Sequence, residues 1–490
     1  MKQISIFSFL ISLLLICSTL SFAQQQPKNV IFILADDHRY DYMSFHPNSP
    51  DFLETPAMDR MAEEGAHLAN AFVSTSLCSP SRASILTGQY PFRHGVVDNH
   101  NIMPEGTAMI GESLQQAGYQ TGYFGKWHIG GDHDNPKPGF DRWVSFRGQG
   151  VYYNPTLNID GERDDYEGYI TDILTDYTID WLDEIDRDQP FFAYLSHKAV
   201  HAEFEPSQRH EGEYADAYIP QPQSMKNIES NYEGKPDWVR EQRYSWHGVD
   251  YMYHNRDDHP KHLDEIITRY SESLLAVDES VARVIEYLEN EGLAEETLVI
   301  YMGDNGFMLG EHGLIDKRQA YEESMRVPML AWAPGMIEPG TVIEENVMNI
   351  DMSPTWLDLA GGSMPEDHAL DGQSFLPLLR GEQIDDWRST FVYQYFWEHS
   401  FPHTPTTYAI RGDRYKYIYY HGVWDKNELY DLETDPNEMH NLIDVPEHQE
   451  RVQQMRQEMF DTFEKADATD VRFRRPSQFS ADEKKIHVKQ

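Results

Sequence analysis

Cysteine is almost missing from this sequence: 490 residues contain two, Cys17 and Cys78. Cys17 lies in an N-terminal apolar run, so an exported and processed chain keeps one thiol, which excludes an internal disulfide. Basic residues are the second scarcity, with 40 Lys+Arg against 82 Asp+Glu and a formal charge of −42. Nucleic-acid binding needs a basic face to displace counterions from phosphates, so no nucleic-acid partner is expected. An anionic membrane surface is repelled for the same reason. Long apolar runs are the third absence. Beyond residue 23 none approaches the roughly 20 residues of a spanning helix, so no membrane span is expected.

The residues that are abundant describe a globular enzyme-sized chain. Hydrophobic residues make up 40% and aromatics 13%, enough for a large core and too many for a disordered chain. The N-terminus reads as a signal peptide: Lys2, an apolar stretch from Ile4 to Cys17, then small residues in Ser21-Phe22-Ala23. Residues 1–23 are therefore set aside, and export to the periplasm is expected. A lipid anchor would use Cys17, but Leu15-Ile16 lack the small residues that such a site prefers.

Short β-branched or aromatic runs at Asn29–Ala35, 120–125, 190–195 and 297–302, with 327–332 as a fifth, read as buried parallel strands. Helical patterns lie between them: one opening at Thr55-Pro56, others over 106–117, 167–187 and 262–291. This alternation predicts an α/β fold, a mostly parallel sheet covered on both faces. Residues 202–260 interrupt it with a polar, irregular stretch containing Tyr214, Tyr218, Tyr232, Trp238, Tyr244, Trp246, Tyr251 and Tyr253. Such a stretch is either an insertion packed over the core or a functional surface whose rings stack on sugar faces. After about residue 375 the strands become closely spaced, at 390–396, 407–411 and 415–420, followed by a helix over 446–465. The domain reading is thus a catalytic domain over 24–375 and a smaller α+β unit over 376–490 ending in a polar tail.

In an open α/β sheet, ligands bind beyond the carboxyl ends of the strands. Here those ends deliver Asp36-Asp37, Lys126-Trp127-His128, Ser196-His197 and Asp304-Asn305. Asp36, Asp37, Asp304 and Asn305 are hard oxygen donors suited to a divalent cation. Lys126, His128, His197 and Lys317 could neutralise a small tetrahedral oxyanion. His197 and His201 are spaced as zinc ligands, but no third nitrogen or sulfur donor accompanies them. Cys78 read alone is a small buried hydrophobe.

Its context changes that reading. Cys78-Ser79-Pro80-Ser81-Arg82 followed by Ala83-Ser84-Ile85-Leu86-Thr87-Gly88 resembles the signature of the type I sulfatases. The blocks Asp36-Asp37, Gly125-Lys126-Trp127-His128, Ser196-His197 and Gly303-Asp304-Asn305-Gly306 fall in that family's order. The resemblance implies an alkaline-phosphatase-like fold and conversion of Cys78 to formylglycine by a maturation enzyme. It also implies calcium held by Asp36, Asp37, Asp304 and Asn305 together with residue 78. The hydrated formylglycine would be the nucleophile, steadied by Arg82. Lys126 and Lys317 would bind sulfate oxygens, His128 would act as base and His197 as acid. Export favours a sulfated saccharide as substrate, such as an algal polysaccharide (ulvan or carrageenan) or a glycosaminoglycan. The alternative on the same scaffold is a phosphodiester or phosphonate monoester hydrolase.

Overall fold

A computed structural model describes residues 28–131, 133–251, 262–398, 401–422, 426–466 and 468. The signal segment, Tyr253 and the tail 471–490 lie outside the described residues. Ten strands form one sheet, in the order Thr341–Ile343, Ala66–Leu68, Met329–Trp332, Thr297–Gly303, Asn29–Ala35, Phe191–Ser196, Gln120–Lys126, Arg142–Phe146, Thr156–Ile159 and Glu162–Asp165. The five strands from Thr297–Gly303 to Arg142–Phe146 are parallel. The fifth strand expected to be parallel is not. Met329–Trp332 runs antiparallel to Thr297–Gly303, because an apolar run records burial and not chain direction. At the far edge, Glu162–Asp165 is charged and exposed, which discourages pairing with another sheet.

Alternation along Asn29–Ala35 builds two cores. Ile31, Ile33 and Ala35 face one apolar layer with the helices Ile170–Glu184 and Leu263–Asn290. Val30, Phe32 and Leu34 face the other with Cys78–Thr87, Ile110–Gln116 and Met352–Ala360. Successive strand residues point to opposite faces, so a seven-residue apolar strand is what two covered faces require. Helix Leu263–Asn290 buries Ile266, Tyr270, Leu274, Val277, Val281 and Val284 at three- and four-residue spacing. It also carries Asp278, whose carboxylate accepts the backbone N–H groups of Ala57 at 3.1 Å and Met58 at 2.9 Å. Asp278 therefore caps the helix Pro56–Glu64 from outside. Thr55 makes no such cap; its hydroxyl pairs with Ser44 and Asp59 instead.

The C-terminal part holds a four-stranded antiparallel sheet, Thr390–Tyr395, Thr407–Gly412, Tyr415–Tyr420 and Glu428–Asp431. Helix Gln449–Lys465 packs Met455, Met459 and Phe463 in the same apolar cluster as this sheet. Phe72, Leu77 and Met348 belong to that cluster too, which joins the sheet to the larger body. Buried charge reinforces the junction. Glu322 meets Arg411 at 3.2 Å and Lys416 at 3.0 Å, and Glu428 accepts hydroxyls from Tyr321, Tyr420 and Tyr430. Each carboxylate is paired, as burial demands.

Candidate active site

Four parallel strands end at one place, and the turn after each supplies a side chain. Asp36 and Asp37 follow the first strand, with Asp37 in a left-handed conformation (φ 60°) that turns the chain at once. Asp304 and Asn305 follow Thr297–Gly303, and the Asp37 N–H donates to Asp304 Oδ1 at 3.0 Å. Lys126 is the last residue of its strand, and His128 comes two residues later at φ 41°.

Cys78 enters from the opposite layer as the first residue of helix Cys78–Thr87, all ten residues of which are buried. Its Sγ lies 3.4 Å from Asp36 Oδ1, 3.2 Å from Lys317 Nζ and 3.8 Å from Lys126 Nζ. Arg82, one helical turn on, shares that face. It donates to Asp304 Oδ2 at 2.9 Å and, through Nη1, to the Lys126 carbonyl and Ser196 Oγ at 2.6 Å each. Lys126 also pairs with Asp36 and the Gln149 side chain, and Lys317 with Asp37. The helix N-terminus adds its positive dipole end beside residue 78. A chain with a net charge of −42 has thus gathered three cations around one buried sulfur.

Electrostatics set what the thiol can do. Burial, with the nearby Asp36 charge, pushes Cys78 up to about 12. A thiol so rarely ionised is a poor nucleophile, so residue 78 as cysteine is unsuited to attack. Burial alone would also raise Asp36, but Lys126, His201 and Arg82 outweigh it and hold the carboxyl well below its usual range. Asp304 moves the other way, to about 7, through burial and the Asp36 charge.

The residues present fit a divalent cation. One oxygen each from Asp36, Asp37 and Asp304 lies within 4.8 Å of the others, and all three are buried. Asn305 Oδ1 is buried without a hydrogen-bond partner. Three hard carboxylates and an amide oxygen match calcium or magnesium better than zinc. A cation there would also relieve the repulsion that raises Asp304.

His197 is not at this site. Its ring is buried on the far side of the strand end, with Nε2 3.0 Å from Ser280 Oγ on helix Leu263–Asn290. His201 occupies the place expected of it. Asp36 N–H donates to the Ala199 carbonyl at 2.9 Å and Val200 N–H to the Asp36 carbonyl at 2.7 Å. That pairing swings His201 over the carboxylates, with Nε2 3.9 Å from Asp37 Oδ2. His128 and His201 both line a cavity of about 460 Å³, with Asp37, Gln149, Trp246 and Lys317. Burial and the Lys126 charge push both rings well below the usual histidine range. The aromatic stretch divides: Tyr214, Tyr232 and Trp238 are buried packing, Tyr218 and Tyr244 are exposed, and Trp246 borders the cavity.

The misplaced histidine leaves a measurable mark. Burial pushes His197 down to about 3, against about 6.5 in an unfolded chain. The fold favours the neutral ring, so its contribution is full above about pH 6.5 and is lost as pH falls toward the folded value. The Tm should fall between pH 7 and pH 4.5, and less steeply in His197→Gln. An identical slope in the variant would remove His197 from this account.

Comparison with known proteins agrees with the geometry. A family model described as Sulfatase matches residues 28–363, and one described as N-sulphoglucosamine sulphohydrolase, C-terminal, matches 310–465. The N-acetylglucosamine-6-O-sulfatase of Bacteroides thetaiotaomicron is 32% identical, over 89% of this chain and 86% of that relative. Human N-acetylglucosamine-6-sulfatase is 31% identical over 75% of this chain and 67% of its own. A solved structure of a protein with its substrate D-glucosamine-2-N,6-O-disulfate superposes with a TM-score of 0.84 at 31% identity, covering 92% of this chain and 100% of that one.

Proposed function

This chain belongs to the sulfatase family and is a sulfuric ester hydrolase, and from that premise we propose that it removes O-sulfate from a glucosamine residue of a glycosaminoglycan-type saccharide. The single observation that carries the reaction is the meeting at residue 78 of Lys126, Lys317 and Arg82 with the carboxylates of Asp36, Asp37 and Asp304. The sugar is supported by the two relatives named for N-acetylglucosamine 6-sulfate and by the complex with a sulfated glucosamine. Export is part of the reading and rests on residues 1–23. The division into a catalytic domain over 24–375 and a C-terminal unit over 376–490 is part of the reading too, and rests on the change to closely spaced strands after about residue 375.

Residue 78, as formylglycine, supplies a hydrated aldehyde oxygen as the nucleophile. Asp36, Asp37, Asp304 and Asn305 would hold calcium, which when bound supplies Lewis-acid polarisation. Lys126 and Lys317 bind the sulfate oxygens and act where negative charge builds in the transition state. Arg82, fixed at Asp304, orients residue 78 from below. His128 accepts a proton at residue 78. His201, in place of His197, delivers one to the departing alcohol. Burial and the Lys126 charge favour the neutral His201 ring; a sulfate ester bound there would offset the Lys126 charge and favour its protonation.

The test is turnover of N-acetylglucosamine 6-sulfate, followed by NMR at C6, with mass analysis of the peptide carrying residue 78. Active protein should hold an aldehyde oxygen where Cys78 had sulfur. Chelation should stop turnover, and calcium should restore it where zinc does not. Full activity with an intact thiol would overturn the mechanism; inertness toward the sugar with activity on an aryl sulfate would overturn the substrate.

A further inference from the structure

The active-site cavity is bordered by Arg318, whose Nε donates to Glu398 Oε2 at 2.8 Å. A second cavity, of about 740 Å³, shares no lining residue with it among the described residues. The chemistry at residue 78 makes no use of this space. Its charge is unbalanced: Asp41, Asp51, Glu311 and Glu323 border it against the guanidinium of Arg39. His440, at the mouth, stands 3.6 Å from Asp435. Arg39 is already committed. Its Nε and Nη2 donate to Asp41 at 2.6 and 2.8 Å, and its Nη1 to Glu311 Oε1 at 2.9 Å. The other Glu311 oxygen accepts the Leu309 N–H at 2.8 Å. Glu323 is left over. It is 6% exposed, and its Oε2 has no hydrogen-bond partner among the described residues. Ser49 Oγ borders the same cavity and is likewise buried and unpartnered.

The preceding residue shows what Glu323 lacks. Both belong to one helical turn, Glu322–Met325. Glu322 meets Arg411 and Lys416 of the C-terminal sheet. Burial alone would raise its carboxyl, but those two cations outweigh it and hold the group below its usual range. Glu323 goes the other way: burial and the charges of Glu311 and Glu438 push it up to about 8. A buried carboxylate without a partner is costly and calls for an explanation. Glu323 borders a space of the size that takes a small ligand. A bare metal ion fits poorly, since no three of these carboxylates bring oxygens within 4.8 Å of one another, as Asp36, Asp37 and Asp304 do. The mouth suits an organic ligand. It offers the amides of Asn48, Gln221 and Asn437, the hydroxyl of Ser230, and the Tyr218 ring, which is 85% exposed.

We propose that this cavity is a second binding site, for a hydroxylated primary ammonium ion of the amino-sugar class with a free amine, its ammonium group at Glu323. An ammonium group carries three donors and no acceptor, which answers an unpartnered carboxylate oxygen and a surplus of negative charge together. Hydroxyl groups donate and accept, and so match the amides at the mouth. An anionic sugar would meet carboxylates that no spare cation balances, a juxtaposition that disfavours it. The two cavities are thus opposite in chemistry: cations gather at residue 78 for an anion, and carboxylates gather here for a cation. The second site stands whatever ester is cut at the first.

The test is calorimetric titration of the full chain with D-glucosamine at neutral pH. D-glucose, the same ring with a hydroxyl in place of the ammonium, should bind at least about tenfold more weakly, the scale that separates a charged from a neutral hydrogen bond. Inorganic sulfate, which Lys126 and Lys317 would hold, should not compete. Glu323→Gln keeps the shape and removes the charge, so it should weaken D-glucosamine by at least about tenfold. It should leave 4-nitrophenyl sulfate turnover unchanged, and the urea midpoint should not fall, because an unpaired buried carboxylate is lost. No D-glucosamine binding, equal binding of glucose, or displacement by sulfate would overturn the proposal, and these arms need no variant. Unchanged affinity in folded Glu323→Gln would do the same. A calcium stoichiometry one lower in that variant would make the cavity a metal site and overturn the assignment to an organic cation.

Discussion

Cys78→Ala should lower sulfate ester turnover by ~10⁶-fold, the scale seen when a nucleophile is removed from a catalytic unit. Nothing else at the site can take its place. The surrounding groups are Lys126 and Lys317, which are cations, and Asp36, which lies 3.4 Å from the sulfur and is committed to Lys126. The fold should survive. Residue 78 is fully buried, and losing one sulfur costs about as much as losing a methylene, ~0.8 kcal/mol. Unfolding midpoints in urea should therefore nearly coincide while activity vanishes. Retained turnover would place the nucleophile elsewhere. Cys78→Ser should be equally inactive toward sugar sulfates, because a serine hydroxyl cannot hydrate to a geminal diol.

The two histidines after strand Phe191–Ser196 should separate cleanly. A sugar alkoxide is a poor leaving group and needs a proton in the transition state, whereas a nitrophenolate hardly does. His201→Ala should slow a sugar sulfate by about 10²–10⁴-fold and 4-nitrophenyl sulfate much less. His197→Ala should scarcely distinguish the two substrates. Its effect falls on stability, because it empties a fully buried site and strips Ser280 Oγ of a partner at 3.0 Å. A loss of about 2–4 kcal/mol is expected, read as a lower urea midpoint. If His197→Ala shows the substrate split and His201→Ala does not, the roles must be exchanged again.

That exchange marks the boundary of what residue order can convey. The four strand ends are legible because buried parallel strands are apolar runs, and the residues just beyond each run must lie at one sheet edge. Asp36, Asp37, Lys126, His128, Asp304 and Asn305 all meet there as that rule requires. His197 obeys the same rule in sequence and fails it in space. The path of 197–201 is dictated by backbone bonds between Asp36 and residues 199–200, a pairing with no signature in side chains. The four-residue spacing of His197 and His201 is the one local signal that draws the eye to His201, and it suggests zinc rather than an acid. Helix Cys78–Thr87 is illegible as a helix because it has no polar face; both its sides are inside the protein. The hairpin Thr156–Asp165 is hidden for the opposite reason, since its last strand is charged throughout. Arg318 and Glu398 are 80 residues apart, and no local pattern announces that they touch.

The Arg318–Glu398 pair also has a mechanical meaning. Arg318 comes directly after Lys317, while Glu398 belongs to the segment between the first two strands of the C-terminal sheet. Glu322, paired to Arg411 and Lys416 on two strands of that sheet, repeats the arrangement one turn away. The smaller sheet is thus a buttress for the segment 316–326, and the cavity has walls drawn from both parts of the chain. Peeling the sheet away would strand Arg318, Glu322 and Tyr321 as unmatched polar groups in what was interior. Loosening should therefore spread from the buttress into the floor of the site, so that the two sheets melt as one cooperative unit and a nick in the C-terminal part is felt at residue 78.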